Sequence, residues 1–261
     1  MEGKIGLYLI GTAGCGKSTL TAALAQLMTA NGISTLTMNL DPGADILPYE
    51  PDIDVRDWIT LGDVMEEYGL GPNGAQIVAA DMLALYKNRL VQELEDKNFQ
   101  YLLIDTPGQL ELFSFREASK EVVKGLRPNA SFLIYMIDPF NSRTPSGYMS
   151  QLMLSNLTKL RFHFPSLDVI SKYDMVGHDI KEELDRWQDY PEHLLDDLIR
   201  ESSEAENMGP ELSVGMYKAM DEMGLFSKHM PVSAASGEGL EEVLRKVQLT
   251  YGQGEDPENE E

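Results

Sequence analysis

The amino-acid sequence predicts an α/β fold in which helices cover both faces of a doubly wound, mostly parallel sheet. Three observations lead to this prediction. Short and nearly continuous apolar runs recur along the chain, as expected for strands that are buried on both faces. Helical sequence separates each run from the next. Polar breaks rich in Gly, Asp and Pro follow the runs, at the carboxyl ends where such sheets bind their ligands.

Six strands are predicted along the chain. The first is followed by leucines at helical spacing, and two later segments, 81–94 and 148–160, also have helical patterns. The segment 175–228 is charged, helical in pattern and without a clear strand, so we interpret it as a helical insertion. The predicted strands are Ile5 to Ile10, Ile33 to Leu40, Tyr101 to Ile104, Phe132 to Ile137, Leu167 to Ile170 and Met230 to Val232.

Length and charge favour one soluble domain. The chain has 261 residues, 43% of them hydrophobic, which is enough for a single enlarged domain over residues 1–251. The net charge of −22 repels phosphate backbones, so we expect no direct nucleic-acid binding. Part of this charge lies in the acidic run 252–261, which we expect to be a disordered tail.

The cysteine content and the lengths of the apolar stretches indicate the cellular compartment. The one cysteine, Cys15, allows no intrachain disulfide and no thiolate metal cluster, which fits a reducing interior. The apolar stretches are well short of the roughly 20 residues that span a membrane. The N-terminus lacks a secretory pattern. We therefore expect a cytoplasmic protein without a membrane partner.

The segment from Gly11 to Ser18 follows the first predicted strand and has the Gly-x4-Gly-Lys-Ser pattern of a phosphate-binding loop. Its glycines allow backbone N–H groups to surround the β-phosphate, while Lys17 spans the β- and γ-phosphates. Ser18 is expected to hold Mg²⁺ through its hydroxyl, and Cys15 to fill a place that needs a small residue. The sequence thus predicts a P-loop NTPase sheet with these nucleotide-binding residues: Ala13, Gly14, Cys15, Gly16, Lys17, Ser18 and Thr19.

A second edge of the site is predicted at Asp105, which ends a buried strand and is placed to bind Mg²⁺ directly or through water. Gly108 has no side chain, so its N–H can approach the γ-phosphate and sense whether that phosphate is present. Gln109 and Glu111 follow closely. Either one is a candidate for contact with the attacking water, and the alternative that Gln109 acts through its backbone alone stays open.

Base choice is predicted at Ser171-Lys172-Tyr173-Asp174, after the fifth predicted strand. An aspartate accepts both N1–H and the 2-amino group of guanine, and the stem of Lys172 can lie over the ring. This segment resembles the Asn/Thr-Lys-x-Asp guanine motif of GTPases, with Ser171 in place of Asn. We expect guanine preference to survive, with weaker selectivity. A further base loop after the last strand is assigned to Ser233, Ala234 and Ala235.

Asp41 ends the second predicted strand on the same edge as the phosphate loop. The segment Asn39-Leu40-Asp41-Pro42 resembles a motif of the GTPase branch that includes the signal-recognition-particle and MinD-like proteins. In that branch the aspartate faces the attacking water or the Mg²⁺ shell. A turn-forming aspartate before proline is the alternative interpretation of the same residues.

The tripeptide Gly71-Pro72-Asn73 lies between Asp41 and the Asp105 strand. With Pro48-Tyr49-Glu50-Pro51 and Ile53-Asp54-Val55-Arg56-Asp57, it resembles the GPN-loop GTPases, and the resemblance extends to about Tyr251. It implies GTP and GDP as ligands, Mg²⁺, and a homodimer whose GPN-loop region, 41–98, completes the partner's site. In that site Asn73 contacts the γ-phosphate or the attacking water in trans. Eukaryotic relatives imply a client in RNA polymerase assembly, by family analogy alone.

The leading hypothesis is therefore a homodimeric GTPase in which hydrolysis switches the loops after Asp41 and Asp105. Two alternatives remain. A P-loop kinase or ATPase would need an acceptor pocket and would tolerate adenine, against the Asp174 motif. A non-hydrolysing, GTP-dependent assembly scaffold is left open by Ser171 and by the lack of an obvious activating arginine.

Overall fold

The computed structural model describes residues 4–95, 97–126, 128–204 and 209–252. In these residues, seven strands form one parallel sheet with the order β3-β2-β4-β1-β5-β6-β7. The predicted doubly wound α/β fold is thereby confirmed. The strands are β1 (Ile5–Gly11), β2 (Thr35–Asn39), β3 (Ile53–Asp54), β4 (Tyr101–Asp105), β5 (Ala130–Ile137), β6 (Ser166–Ile170) and β7 (His229–Pro231).

Eleven α-helices surround the sheet in the described part of the chain. No helix there is long and apolar enough to cross a membrane. The helices are α1 (Lys17–Ala30), α2 (Leu61–Tyr68), α3 (Pro72–Met82), α4 (Lys87–Glu95), α5 (Leu110–Ser114), α6 (Glu117–Leu126), α7 (Pro145–Phe162), α8 (His178–Asp189), α9 (Pro191–Glu204), α10 (Gly209–Glu222) and α11 (Leu240–Thr250).

The central strand β1 separates two hydrophobic cores. Its side chains alternate, so Leu7 and Leu9 face a core formed with α1 and α11, while Tyr8 and Ile10 face a core formed with the remaining helices. All seven residues of β1 are buried. This double burial explains why the strand reads as one continuous apolar run.

The structure adds two details to the sequence prediction. The segment 81–94 is helical, but the 3-10 turn Leu83–Tyr86 divides it between α3 and α4. Leu83 and Leu90 are both fully buried, so the apolar spacing continues across the break and conceals it. The sheet also has a seventh strand that was not predicted, β3, whose two residues are too few to form a recognisable pattern.

The predicted insertion, 175–228, contains α8, α9 and α10 in its described part. These helices pack on one another and on α7. The acidic segment 252–261, predicted to be a disordered tail, lies outside the described residues except for Gly252.

His229 begins β7 and makes the fold sensitive to acid. It is buried against the Tyr148 ring, and burial lowers the pKa of its imidazole to about 4. The unfolded chain takes up this proton near pH 6.5, so the free energy of unfolding falls as the pH falls from about 6.5 towards 4.

His229→Phe tests this pH dependence. Between pH 7.5 and 5.5, we expect the free energy of unfolding of this variant, measured with urea, to fall by about 1 kcal/mol less than that of wild type. The same change at the exposed His178 should leave the pH dependence intact, and an unaltered profile for His229→Phe would contradict this assignment.

Candidate nucleotide-binding site

The phosphate loop joins β1 to α1, and its glycines include two whose need is clear from the backbone. Gly16, at the N-cap of α1, has a φ of 99°, which residues with a side chain rarely adopt. A Cβ at Gly11 would lie 2.7 Å from both the Met136 carbonyl oxygen and the Cys15 sulfur. Cys15 is fully buried, and burial raises the pKa of its thiol, so the residue packs the loop as an inert group.

Lys17 links the phosphate loop to the loop after β4. Its ammonium donates hydrogen bonds to the carbonyl oxygens of Gly11 at 3.0 Å, Thr12 at 3.1 Å and Gly108 at 3.1 Å. The side chain is only 6% exposed, so this charge acts in a region of reduced dielectric. A phosphate oxygen is a stronger acceptor than a carbonyl oxygen, and its arrival would compete with the Gly108 contact.

Asp105 and Ser18 lie together and form the predicted metal site. Burial raises the pKa of the Asp105 carboxyl to about 6, while the nearby Ser18 and Tyr49 hydroxyls and the Lys17 charge oppose the rise. Tyr49 donates to Asp105 Oδ2 at 3.0 Å, and the buried Oδ1 atom has no hydrogen-bond partner among the described residues. A buried, unpaired carboxylate oxygen beside a hydroxyl fits the oxygen preference of Mg²⁺.

The described residues do not form a complete metal shell at this site. The described residues contain no group of three or more His, Cys, Asp or Glu side chains that could hold an ion. Mg²⁺ commonly keeps several waters and binds substrate phosphates together with one or two protein oxygens. Asp105 and Ser18 are sufficient for that mode of binding.

Asp41 connects the loop after β2 to the loop after β4. Its carboxylate accepts hydrogen bonds from the N–H groups of Gly43 at 2.9 Å and Gly108 at 2.8 Å. The Gly108 N–H, predicted to approach the γ-phosphate, therefore points at Asp41 in this structure. Together with the Lys17 contact to its carbonyl, this arrangement fixes Gly108 through both of its backbone polar groups.

A partly buried network that the sequence did not reveal holds Asp41 in place. The side chain of Asn39 accepts from the Asp41 N–H at 3.0 Å and donates to Asp54 at 2.9 Å. Asp54 also binds the guanidinium of Arg56, which in turn donates to the Ala44 carbonyl at 2.8 Å. Asp54 in β3 and Arg56 just after it therefore anchor the first part of the loop that begins at Asp41.

The predicted base-binding residues meet in one cleft of about 550 Å³, on the side of the phosphate loop where β5 and β6 lie. Ser233 is the exception, because it is fully buried beneath the cleft, where its hydroxyl oxygen accepts from the Ser236 N–H at 3.1 Å. The cleft is lined by Cys15, Gly16, Thr19, Ser171, Lys172, Asp174, Ala234 and Ala235, together with apolar residues that include Met136 and Met175.

The base loop, residues 171–174, is held in place although Ser171 stands where the guanine motif of GTPases has asparagine. Ser171 is 3% exposed, and its hydroxyl donates to the Ile137 carbonyl at 3.1 Å, which fastens the loop to β5. Lys172 has a φ of 51° and pairs with Asp138 at 3.2 Å. Asp138 was not predicted, and its contact holds the lysine stem beside Gly16, within 3.7 Å of a Cβ built there. Asp174 is exposed, so its carboxylate is free to face a base.

A second cleft, of about 660 Å³, lies on the opposite side of the phosphate loop. It brings together Ala13, Asp41, Gly108 and Gln109 from the sequence prediction, and adds Gln76 from α3. Glu111 is exposed in the first turn of α5 and does not line this cleft. The structure therefore places Gln109, and not Glu111, beside the predicted γ-phosphate position.

Comparisons with known proteins agree with this geometry. A family model described as a conserved hypothetical ATP binding protein matches residues 9–253. The GPN-loop GTPase 3 of Kluyveromyces lactis is 32% identical, over 94% of this chain and 90% of that protein. The chain belongs to the GPN-loop GTPase family. The GPN-loop GTPase 1 of Dictyostelium discoideum is 27% identical, and the match covers 94% of this chain but 61% of that protein.

A solved structure shares the whole fold. A GTPase of Pyrococcus abyssi in its apo form has a TM-score of 0.81 and 30% sequence identity, covering 97% of this chain and 98% of that one. The resemblance inferred from Gly71 to Asn73 and its flanking motifs is thus confirmed, and so is the P-loop NTPase fold.

The GPN tripeptide of this family member begins a helix. Gly71 is the N-cap of α3, and Pro72 and Asn73 are its first two residues, the place where proline is favoured. Asn73 is exposed and lines neither cleft of its own chain in the described structure. Its side chain is therefore accessible to solvent on the surface of this chain.

Proposed function

We propose that the protein hydrolyses GTP to GDP and phosphate with Mg²⁺, and that the reaction occurs in a homodimer. One observation carries the proposal. The cleft with Lys172 and Asp174 and the cleft with Asp41 and Gln109 lie on opposite sides of one phosphate loop. In the proposed complex, the phosphate loop binds the phosphates, the first cleft binds the guanine base, and the second cleft holds the reacting γ-phosphate.

In the proposed reaction, a water oxygen forms a bond to the γ-phosphorus as the bond from that phosphorus to the β,γ-bridging oxygen breaks. GDP leaves, and the protons of the water pass to phosphate and solvent. Lys17 stabilises the charge on the phosphate oxygens, and Asp41 and Gln109 orient the water. Mg²⁺, held by Ser18 and Asp105, supplies further charge neutralisation when bound.

The proposed switching of the loops after β2 and β4 rests on contacts within the protein that would be replaced by contacts to the nucleotide. Gly108 is bound at its carbonyl by Lys17 and at its N–H by Asp41. A γ-phosphate competes for Lys17 and offers the Gly108 N–H a stronger acceptor. Loss of that phosphate on hydrolysis restores the original contacts, so the loops after β2 and β4 move together.

The dimer proposal rests on Asn73. Its exposed amide offers both a donor and an acceptor, and the described chain brings no arginine into either cleft. An amide supplied in trans would stabilise the γ-phosphate oxygens or hold the water. A protein client, with RNA polymerase assembly as the family analogy, is part of the same proposal.

GTP and ATP hydrolysis, compared at equal concentration with Mg²⁺, test the base assignment. We expect kcat/KM for GTP to exceed that for ATP about 100-fold, because the Asp174 carboxylate pairs with guanine donors that adenine lacks. Asp174→Ala should remove most of that preference by lowering kcat/KM for GTP alone. The matched control is Asp179→Ala, an exposed aspartate that does not line the cleft.

The outcomes separate the alternatives. Comparable turnover of both nucleotides would contradict the guanine assignment and favour the ATPase that the family model's description suggests. Tight GTP binding with phosphate release at the uncatalysed rate would favour a nucleotide-dependent scaffold over an enzyme.

A further inference from the structure

Gln76 and Gln109 face each other across the cleft on the γ-phosphate side. The Gln109 side-chain nitrogen donates to the Gln76 side-chain oxygen at 2.7 Å, and both residues line this cleft together with Asp41. The two glutamines are 33 positions apart in the sequence. No pattern in the sequence indicated that they would meet.

The two residues differ in how firmly their backbones are held. Gln76 lies on α3, which is fixed by the buried Ala75 and Ala79 and by the ion pair of Asp81 with Arg116, in the loop before α6. Gln109 lies on the loop between β4 and α5, and its side chain is exposed. Gln76 is therefore the anchored partner and Gln109 the side chain that needs orientation.

The planar amide explains what the contact achieves. A glutamine amide has its NH₂ group on one side and its carbonyl oxygen on the other. When the NH₂ of Gln109 donates to Gln76, the Gln109 carbonyl oxygen is on the opposite side of the amide, where it can accept a hydrogen bond from a water in the cleft. A Gln109 without this contact would sample rotamers in which the oxygen points elsewhere.

We propose that Gln76 is a positioning residue that orients the Gln109 amide towards the attacking water, an inference that rests on the proposed GTP hydrolysis. Asn73 is the second residue of the same helix, three residues before Gln76, and residues three apart lie on neighbouring parts of a helix surface. Helix α3 thus joins the γ-phosphate cleft of its own chain to the exposed amide assigned to the partner's site.

Single-turnover and steady-state hydrolysis by three variants tests this role. Gln76→Leu keeps the shape but loses the acceptor, so we expect kcat to fall about 10-fold with KM unchanged. Gln76→Glu keeps an acceptor oxygen for the Gln109 NH₂ and should retain most of the wild-type kcat. Gln248→Leu is the matched control, because Gln248 is also half-buried on a helix, α11, and is remote from both clefts.

A double-mutant cycle decides whether Gln76 acts through Gln109. Gln109→Ala combined with Gln76→Leu should be no slower than Gln109→Ala alone, because the second change removes support from a side chain that is already absent. Independent, multiplying losses would overturn the proposal. A wild-type kcat in Gln76→Leu would overturn it as well.

Amide hydrogen exchange separates this inference from the proposed function. In the nucleotide-free protein, Gln76→Leu should make the backbone amides of residues 108–112 exchange several-fold faster, while Gln76→Glu and Gln248→Leu should not. If wild type hydrolyses no GTP, the proposed function fails, and this exchange result still decides whether Gln76 orders the Gln109 loop. Equal exchange in Gln76→Leu and wild type would overturn the inference even in an active enzyme.

Discussion

Lys17→Ala is expected to reduce the kcat of GTP hydrolysis about 1,000-fold, the largest effect of any single change in the site. The Lys17 ammonium is almost fully buried and lies where the phosphate loop meets the loop that carries Gly108. A positive charge in such a place stabilises the developing negative charge far more than an exposed lysine would. Alanine removes the charge and leaves the rest of the phosphate loop in place.

Phosphate release under saturating GTP and Mg²⁺ measures this effect, and circular dichroism establishes that the variant is folded. Lys17→Met, which keeps the length of the side chain, should be as inactive as Lys17→Ala. The control is Lys246→Ala, an exposed lysine on α11, which should hydrolyse GTP at the wild-type rate. A folded Lys17→Ala protein with more than about a tenth of wild-type kcat would refute the role given to this charge.

The part of the site that could be predicted from sequence consists of residues that follow buried strands. Lys17, Asp41, Asp105 and Asp174 each come shortly after a strand whose apolar run is easy to recognise. Because the strands are parallel, their carboxyl ends lie at one edge, so nearness in space followed from position in the chain. The residues of the base cleft were predicted to lie together because they follow neighbouring parallel strands.

The contacts that hold these residues in place could not be predicted. Tyr49 reaches Asp105 across 56 positions, and Lys172 reaches Asp138 across 34. Arg56 donates to the carbonyl oxygen of Ala44 in the loop after β2. Every residue has such a carbonyl oxygen, so the sequence does not indicate which one is bound. Such pairs depend on the path of the loops, for which the sequence carries no periodic pattern.

The GPN tripeptide has a sequence pattern that is typical of a helix start. Proline is favoured at the first position of a helix, and Pro72 occupies that position in α3 after the N-cap Gly71. This position matters for function. An amide on the first turn of a helix is held more firmly than one on a free loop, so Asn73 can be presented to a partner at low entropic cost.

Asn73→Ala is expected to lower kcat about 100-fold while GTP affinity stays within two-fold of wild type. Asn73 lines neither cleft of its own chain, so its loss removes no contact to nucleotide within the protomer. In the proposed homodimer, the effect on turnover arises because the Asn73 side chain is absent from the partner's site. Asn98→Ala, at a position remote from both clefts, provides the matched control.

Mixed dimers distinguish action in trans from action in cis. Asn73→Ala and Lys17→Ala proteins are each expected to be nearly inactive alone. In a dimer with one of each, the Asn73→Ala protomer retains Lys17 and receives an intact Asn73 from its partner, so one of the two sites is complete. Such dimers, isolated with two different affinity tags, should recover up to half of wild-type kcat. If isolated mixed dimers show no more activity than the parent variants, reciprocal insertion of Asn73 is excluded and the exposed amide must act elsewhere.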